Sequence, residues 1–383
     1  MKRIKFLLPV VVVLLVKPNA AAQSMAVGGG CEGCEIMYVG MPKRINATDT
    51  SAGWSEAGQK LLITGRVLNR DGRTPAPNVV LYYWHTDAKG YYSNRPGLAE
   101  GARKHGYLRG WVETDAQGKY SIYTLRPAPY PGEGIPAHIH VVVKEPGLNE
   151  YFIDDWVFDD DQLLTTAERR KMENRGGSGV LRILLNRNVQ VAEDNIILGL
   201  NIPNHPNARS TAAVQSGLEI GEDQPSFSPY HVWGPDKGSR ACPVCQYGRY
   251  QGVIFFAGEK ISRDELRQWA EFFERESVQR GQYLKVYIVG QAAQARLLTE
   301  IGRELNLKKV ALTYVPRFDD TASESHLNKI NPAVSNTLIV YNHRKIVNTF
   351  VNLPANNDSF TAVIGSLETS KSDYVGLREP DHH

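Results

Sequence analysis

Tyr130-Pro-Gly-Glu-Gly-Ile-Pro-Ala-His138-Ile-His140 is followed at once by Val141-Val142-Val143, a β-branched run that reads as a strand. Side chains alternate faces along a strand, so residues i and i+2 look the same way. His138 and His140 therefore project together, a spacing that suits a shared metal. Just upstream, Pro127-Ala-Pro129-Tyr130-Pro131 is a proline-punctuated loop that fixes where the Tyr130 phenol points. Further back, Asp87-Ala-Lys-Gly90-Tyr91-Tyr92 is a turn that releases another tyrosine. Paired core histidines are an ordinary structural feature, so the His-x-His pair gains its meaning from the tyrosines around it.

Four motifs follow one another in order: Trp84 with Gly90-Tyr91-Tyr92, Thr114-Asp115-Ala-Gln-Gly118-Lys-Tyr120, Pro127-Ala-Pro-Tyr130, and Pro136-Ala137-His138-Ile-His140. On these residues the chain resembles the intradiol ring-cleavage dioxygenases of the catechol and protocatechuate type, over roughly residues 58 to 202. The chemistry of the residues agrees. Two phenolates and two imidazoles make a hard, mixed oxygen and nitrogen site, whereas thiolates suit softer metals and carboxylate clusters suit calcium or magnesium. A free phenol ionises near pH ~10, so only a strongly acidic cation holds it ionised at neutral pH. Ferric iron meets that demand better than zinc.

The resemblance implies non-haem Fe(III) held by Tyr92, Tyr130, His138 and His140, with a hydroxide completing the shell. It further implies that a catechol chelates the iron as a dianion and that Tyr130 is the catalytic ligand that leaves and helps take up a proton. Dioxygen attack between the hydroxyl-bearing carbons would then give a cis,cis-muconate type diacid. The Gly-x-Tyr spacing favours Tyr92 over its neighbour Tyr91.

Two substrate-side positions depart from the family pattern. Ile135 stands where an arginine is usual, and Asp155 where a glutamine is usual. Losing the cation removes stabilisation of charge developing on the ring. A carboxylate near a catecholate is repulsive unless paired or protonated. Arg109 is a candidate replacement cation; His85 and His105 read as ordinary core or surface histidines that could flank the pocket.

The remaining features bound the setting. Met1 to Ala22 reads as a secretory signal: Lys2, Arg3 and Lys5, an apolar centre from Phe6 to Val16, and Ala20-Ala21-Ala22 as cleavage site. That centre is too short to span a bilayer, so export to the periplasm or outside is expected, with no transmembrane span afterwards. Loss of the signal takes four positive residues from a formal charge of +3, leaving −1, and nothing points to nucleic acid. Cys31/Cys34 and Cys242/Cys245 are the only cysteines. Disulfides are the default in an exported chain, with redox dithiols or zinc as alternatives.

Residues 23–57 form a lead carrying the first Cys-x-x-Cys. Short strands divided by Gly or Asp turns over 58–204 predict an antiparallel β-sandwich, interrupted by one helix around 166–174. A polar linker is expected over 205–240. Residues 241–370 then alternate strands and helices in a β-α-β-α-β-β order that resembles a thioredoxin-like fold, and 371–383 form a tail. In that fold family a Cys-x-x-Cys follows the first strand, but Ala257-Gly258-Glu259-Lys260 stands there and Cys242-Pro-Val-Cys245 precedes the strand. A binding or stabilising role therefore suits this domain better than redox catalysis. The reading is an exported ferric dioxygenase acting on a catecholic compound and O2. Its rivals are a non-catalytic β-sandwich binding module and a thiol-redox protein acting through the Cys-x-x-Cys pairs.

Overall fold

The computed structural model describes residues 26–207, 214–374 and 376–380. The expected signal segment lies outside them. Among the described residues no helix is long and apolar enough to cross a membrane.

Two six-stranded sheets make the N-terminal unit. In the first, Lys60–Leu68 is central, flanked by Lys119–Leu125 and Val189–Glu193. In the second, Val80–His85 lies between Arg109–Glu113 and the histidine-bearing strand His138–Lys144. The inner faces interdigitate through Leu61, Ile63 and Ile122 from one sheet and Leu81, Ile139 and Val141 from the other, all fully buried. Alternation along His138–Lys144 thus sends Ile139, Val141 and Val143 into the sandwich core and leaves His138 and His140 on the opposite face.

The sheets are mixed, which corrects the expectation of a purely antiparallel sandwich. Val189–Glu193 and Ile196–Ile197 run parallel to Lys60–Leu68, Thr48–Thr50 runs parallel to Lys119–Leu125, and Trp156–Phe158 runs parallel to Val180–Leu181. Parallel neighbours need long connections, and the partners of Lys60–Leu68 come from the far end of this unit. Local turn signals report hairpins and carry no trace of such pairings. The expected helix is present as Thr166–Lys171, capped by the Thr165 hydroxyl, which accepts from the Glu168 amide.

The lead segment covers the outer face of the second sheet. Cys34 and Met37 bury themselves against Val80, Tyr82 and Trp84, and Trp111 Nε1 donates to the Met37 carbonyl at 2.8 Å. Each Cys-x-x-Cys is closed as a disulfide on itself, Cys31–Cys34 and Cys242–Cys245.

The C-terminal unit is one six-stranded sheet in the order Tyr230–Trp233, Ala311–Val315, Leu284–Gln291, Gln251–Ala257, Asn336–Asn342, Lys345–Val351. Leu284–Gln291 is parallel to Gln251–Ala257, and the last two strands are antiparallel additions. Helices Arg263–Arg280 and Asn357–Thr369 bury Trp269, Phe273, Val363 and Leu367 against the sheet. Strands Tyr230–Trp233 and Ala311–Val315 and the last helix go beyond the expected β-α-β-α-β-β order. Tyr230–Trp233 lies inside the stretch expected as linker, so the chain joins this sheet before its second cysteine pair.

The two units share a polar, buried seam. The hairpin turn at His343 and Arg344, with φ of 48° and 69°, carries Lys345 into the sandwich. There its Nζ lies 2.8 Å from Asp194 Oδ1 and 2.6 Å from Ser178 Oγ. Asp194 Oδ2 accepts from Trp156 Nε1 at 2.8 Å. The expected tail docks as well: Arg378 pairs with Leu185, and Arg182 bridges Asp159 and Glu379.

Candidate metal centre

Two loops and one strand bring the site together. In the first loop Asp87 Oδ1 accepts from the amides of Lys89 and Tyr91, and Oδ2 accepts from Ser93 Oγ. Gly90 adopts φ 85°, and a Cβ there would meet the Pro129 carbonyl oxygen at 2.1 Å. Only glycine lets the tyrosine turn lie flush on the proline loop. Thr86 Oγ1 donates to the Ala128 carbonyl, adding a second tie between the two loops. Tyr91 leaves this turn 57% exposed, whereas Tyr92 turns inward.

The four expected ligands converge. Tyr92 Oη lies 2.5 Å from Tyr130 Oη and 2.9 Å from His140 Nε2, and Tyr130 Oη lies 3.1 Å from His138 Nε2. Both imidazoles are held by their other nitrogen. His138 Nδ1 donates to the Pro136 carbonyl at 2.8 Å, and His140 Nδ1 donates to Asp155 Oδ1 at 2.9 Å. These partners fix the neutral tautomer whose Nε2 lone pair points at the phenols, an arrangement typical of metal-ligating histidines. Asp161 anchors the strand entry by accepting from the Ala137 amide. Trp84 stacks on His140 at 4.7 Å and on His105 at 3.9 Å, clamping the imidazole plane.

His138, His140 and Asp155 place ligand-type atoms within 4.8 Å of one another. Asp155, however, meets His140 on the nitrogen that faces away from the phenols. It supports the His140 ring, and the donor set facing inward is two phenol oxygens and two imidazole nitrogens. Burial raises both phenols above the usual tyrosine range and pushes His138 down. Burial thus favours the neutral forms of the two phenols and of His138. Ionising two phenols this close together needs concentrated positive charge between them. Oxygen and nitrogen donors without thiolate fit a hard, highly charged ion such as ferric iron.

An open cleft of about 670 Å³ reaches the donors past Tyr130. Ile135 and Asp155 both line it. Arg109 does not: its guanidinium donates to the Val39 carbonyl and lies over the rings of Trp111 and Tyr82. The expectation of a replacement cation at Arg109 is corrected on this point, because Arg109–Glu113 sits beyond Val80–His85 from the histidine strand. The cations that do line the cleft are Lys171 and Arg175, at and beyond the end of the short helix. The run Glu168-Arg169-Arg170-Lys171 gives no local signal of that. His85 and His105 are buried structural groups. His85 Nδ1 donates to the Thr86 carbonyl and Nε2 accepts from Thr124, while His105 shares a hydrogen bond with Tyr82.

Comparison with known proteins bears on the same stretch. Residues 38–172 match a family model described as Dioxygenase. A catechol 1,2-dioxygenase of Acinetobacter baylyi is 30% identical over 128 residues, covering 29% of this chain and 40% of the relative. A chlorocatechol 1,2-dioxygenase of a Pseudomonas species is 35% identical over 122 residues, covering 26% of this chain and 47% of the relative. Among solved structures, the dioxygenase domain of a dioxygenase–carbohydrate-binding fusion from a Streptomyces species aligns over 41% of this chain and 90% of its own, at 20% identity. Its TM-score is 0.32, too low to carry an argument. The chain spans about half the length of the curated relatives it matches. The family match spans Tyr92, Tyr130, His138 and His140.

Proposed function

We propose that the N-terminal unit binds one non-haem ferric ion through Tyr92, Tyr130, His138 and His140 and cleaves a catecholic ring with O2. The bond between the two hydroxyl-bearing carbons breaks, both oxygen atoms enter the product, and a cis,cis-muconate type diacid results. The observation that carries this is the convergence of two phenols and two tautomer-fixed imidazoles at the end of one cleft. When bound, ferric iron would supply the Lewis acidity that keeps the phenols and the ortho-diol ionised and would template substrate and dioxygen.

The chain's own residues do the rest. His138 and His140 present fixed lone pairs, and Trp84 and Asp155 hold the His140 ring in place. Tyr130 stands where the cleft meets the donors, so its oxygen is the group placed to hold a proton released by an arriving diol. Ile135, Leu164 and Met172 give the cleft an apolar wall that limits water at the ring.

Oxygen uptake by the iron-loaded protein with a panel of catechols tests the proposal. Stoichiometric uptake with diacid formation, lost in Tyr130→Phe, is expected. Iron binding without uptake from any catechol would favour a non-catalytic binding module, the reading that Ile135 in the usual arginine position supports.

Two further parts of the proposal concern the setting. Export through Met1 to Ala22 is supported by the two disulfides, which persist in oxidising compartments; the N-terminal sequence of the secreted protein tests it. A thioredoxin-like character for the C-terminal unit is supported by the neighbour order of Leu284–Gln291, Gln251–Ala257, Asn336–Asn342 and Lys345–Val351. Its buried seam with the sandwich favours a stabilising role over thiol exchange, which an insulin-reduction assay tests.

A further inference from the structure

The cleft is larger than one ring needs, and its charge has a sign. At about 670 Å³ it falls in the range that encloses a drug-sized ligand, ~300–1,000 Å³, whereas a catechol has only eight non-hydrogen atoms. Beyond the donors the wall continues through Phe152, Ile153, Val157, Leu164 and Met172. Val157 and Leu164 are buried in one apolar cluster, and Met172 packs against that cluster, so this face is a preformed part of the core. Ile135, 44% exposed, adds an apolar rim where it stands beside the donors.

Charged groups edge the same cleft: carboxylates at Asp154, Asp155, Glu168 and Glu173, against the cations Lys171 and Arg175. Lys171 Nζ lies 2.6 Å from Glu168 Oε1, and Arg175 donates to the Gly28 carbonyl at 2.9 Å. Asp154 accepts from the amides of Asn174 and Arg175. With four carboxylates against two cations the edge is net acidic, so a carboxylate carried on the substrate meets more like charge than opposite charge.

From this volume and charge, and resting on the ring-cleavage reading, we infer that the substrate is a catechol bearing a large apolar substituent without negative charge. The diol end sits at the donors, and the substituent lies along the Val157–Leu164–Met172 wall. Small catechols leave most of the wall wetted, and a carboxylate-bearing catechol meets the acidic edge.

The test compares 4-phenylcatechol, catechol and 3,4-dihydroxybenzoate by kcat/KM for ring cleavage at neutral pH with the iron-loaded full chain. In parallel, calorimetry measures binding of 4-phenylphenol and 4-hydroxybenzoate, which lack the ortho-diol. We expect 4-phenylcatechol to exceed catechol by about tenfold or more, as burial of one further ring implies, with 3,4-dihydroxybenzoate the poorest. Ile135→Arg should narrow the gap by raising 3,4-dihydroxybenzoate and lowering 4-phenylcatechol. Catechol matching 4-phenylcatechol, or 3,4-dihydroxybenzoate being preferred, overturns the inference. Should no catechol be cleaved, the ring-cleavage reading fails and the binding pair decides. Tighter 4-phenylphenol than 4-hydroxybenzoate then upholds the cleft assignment, and equal or weaker binding overturns it.

Discussion

Asp155 Oδ1 lies 2.9 Å from His140 Nδ1, on the side of the imidazole opposite the two phenols. The carboxylate that the sequence places in an awkward spot for an anionic substrate is thereby given a partner. It accepts the imidazole N–H and so orients His140, one of the proposed ligands. Removing such a support typically costs about 10–100-fold in metal affinity. Asp155→Ala is expected to lower iron affinity by that order, measured by competition with a chelator. Asp155→Asn keeps an acceptor at the same place and should lie close to the parent.

Arg109 gives a contrasting expectation. Its contacts are the Val39 carbonyl and the faces of Trp111 and Tyr82, all on the lead segment side of the sheet. Arg109→Ala should cost about 1–3 kcal/mol of stability and leave kcat for ring cleavage close to the parent value. A large fall in kcat with unchanged thermal stability would return Arg109 to the substrate side.

Acid sensitivity follows from the buried histidines. His85 is held down to about 4 by burial, against an ordinary value of 6.5. Below pH 6.5 the unfolded chain takes up a proton that the folded chain refuses. The stability present above 6.5 is therefore lost as pH falls from 6.5 toward 4, by at most about 3 kcal/mol. Burial also lowers His105, to about 3, and adds to the same trend. Thermal midpoints of the iron-free protein should fall across this window, and His85→Gln should flatten the slope.

The seam between the units is expected to be load-sensitive at Lys345. Its Nζ sits 2.8 Å from Asp194 Oδ1, and both side chains are almost wholly buried. Breaking a buried pair by removing one partner strands the other charge, at a cost of about 3–5 kcal/mol. Lys345→Met should lower stability by that amount in denaturant unfolding, and adding Asp194→Asn should recover part of it. Additive losses from the two substitutions would show that the pair is not coupled.

The parts of this molecule that a reader of the sequence can reach are those with local signatures. Alternation after His138 places both imidazoles on one face, and the Asp87 and Asp115 turns are written in their Asp-x-x-Gly spacing. Gly90 is the clearest case, since its contact with Pro129 is what joins two motifs that look separate in the chain. What stays hidden depends on distant partners. Val189–Glu193 lies parallel to Lys60–Leu68 across more than a hundred residues, and nothing in either segment announces it. The five residues of Ala311–Val315 are too few for periodicity to declare a strand. Asp155 reads as a substrate-side intruder until its distance to His140 Nδ1 is known, and no local pattern places Lys171 and Arg175 at the cleft.

The central claim is that Tyr92, Tyr130, His138 and His140 hold a ferric ion, and the visible absorption spectrum with total iron on the same purified sample tests it most directly. The account predicts about one iron per chain and a red colour from tyrosinate-to-iron charge transfer, weakened or lost in Tyr92→Phe and Tyr130→Phe. A folded protein that stays colourless after iron loading would contradict it.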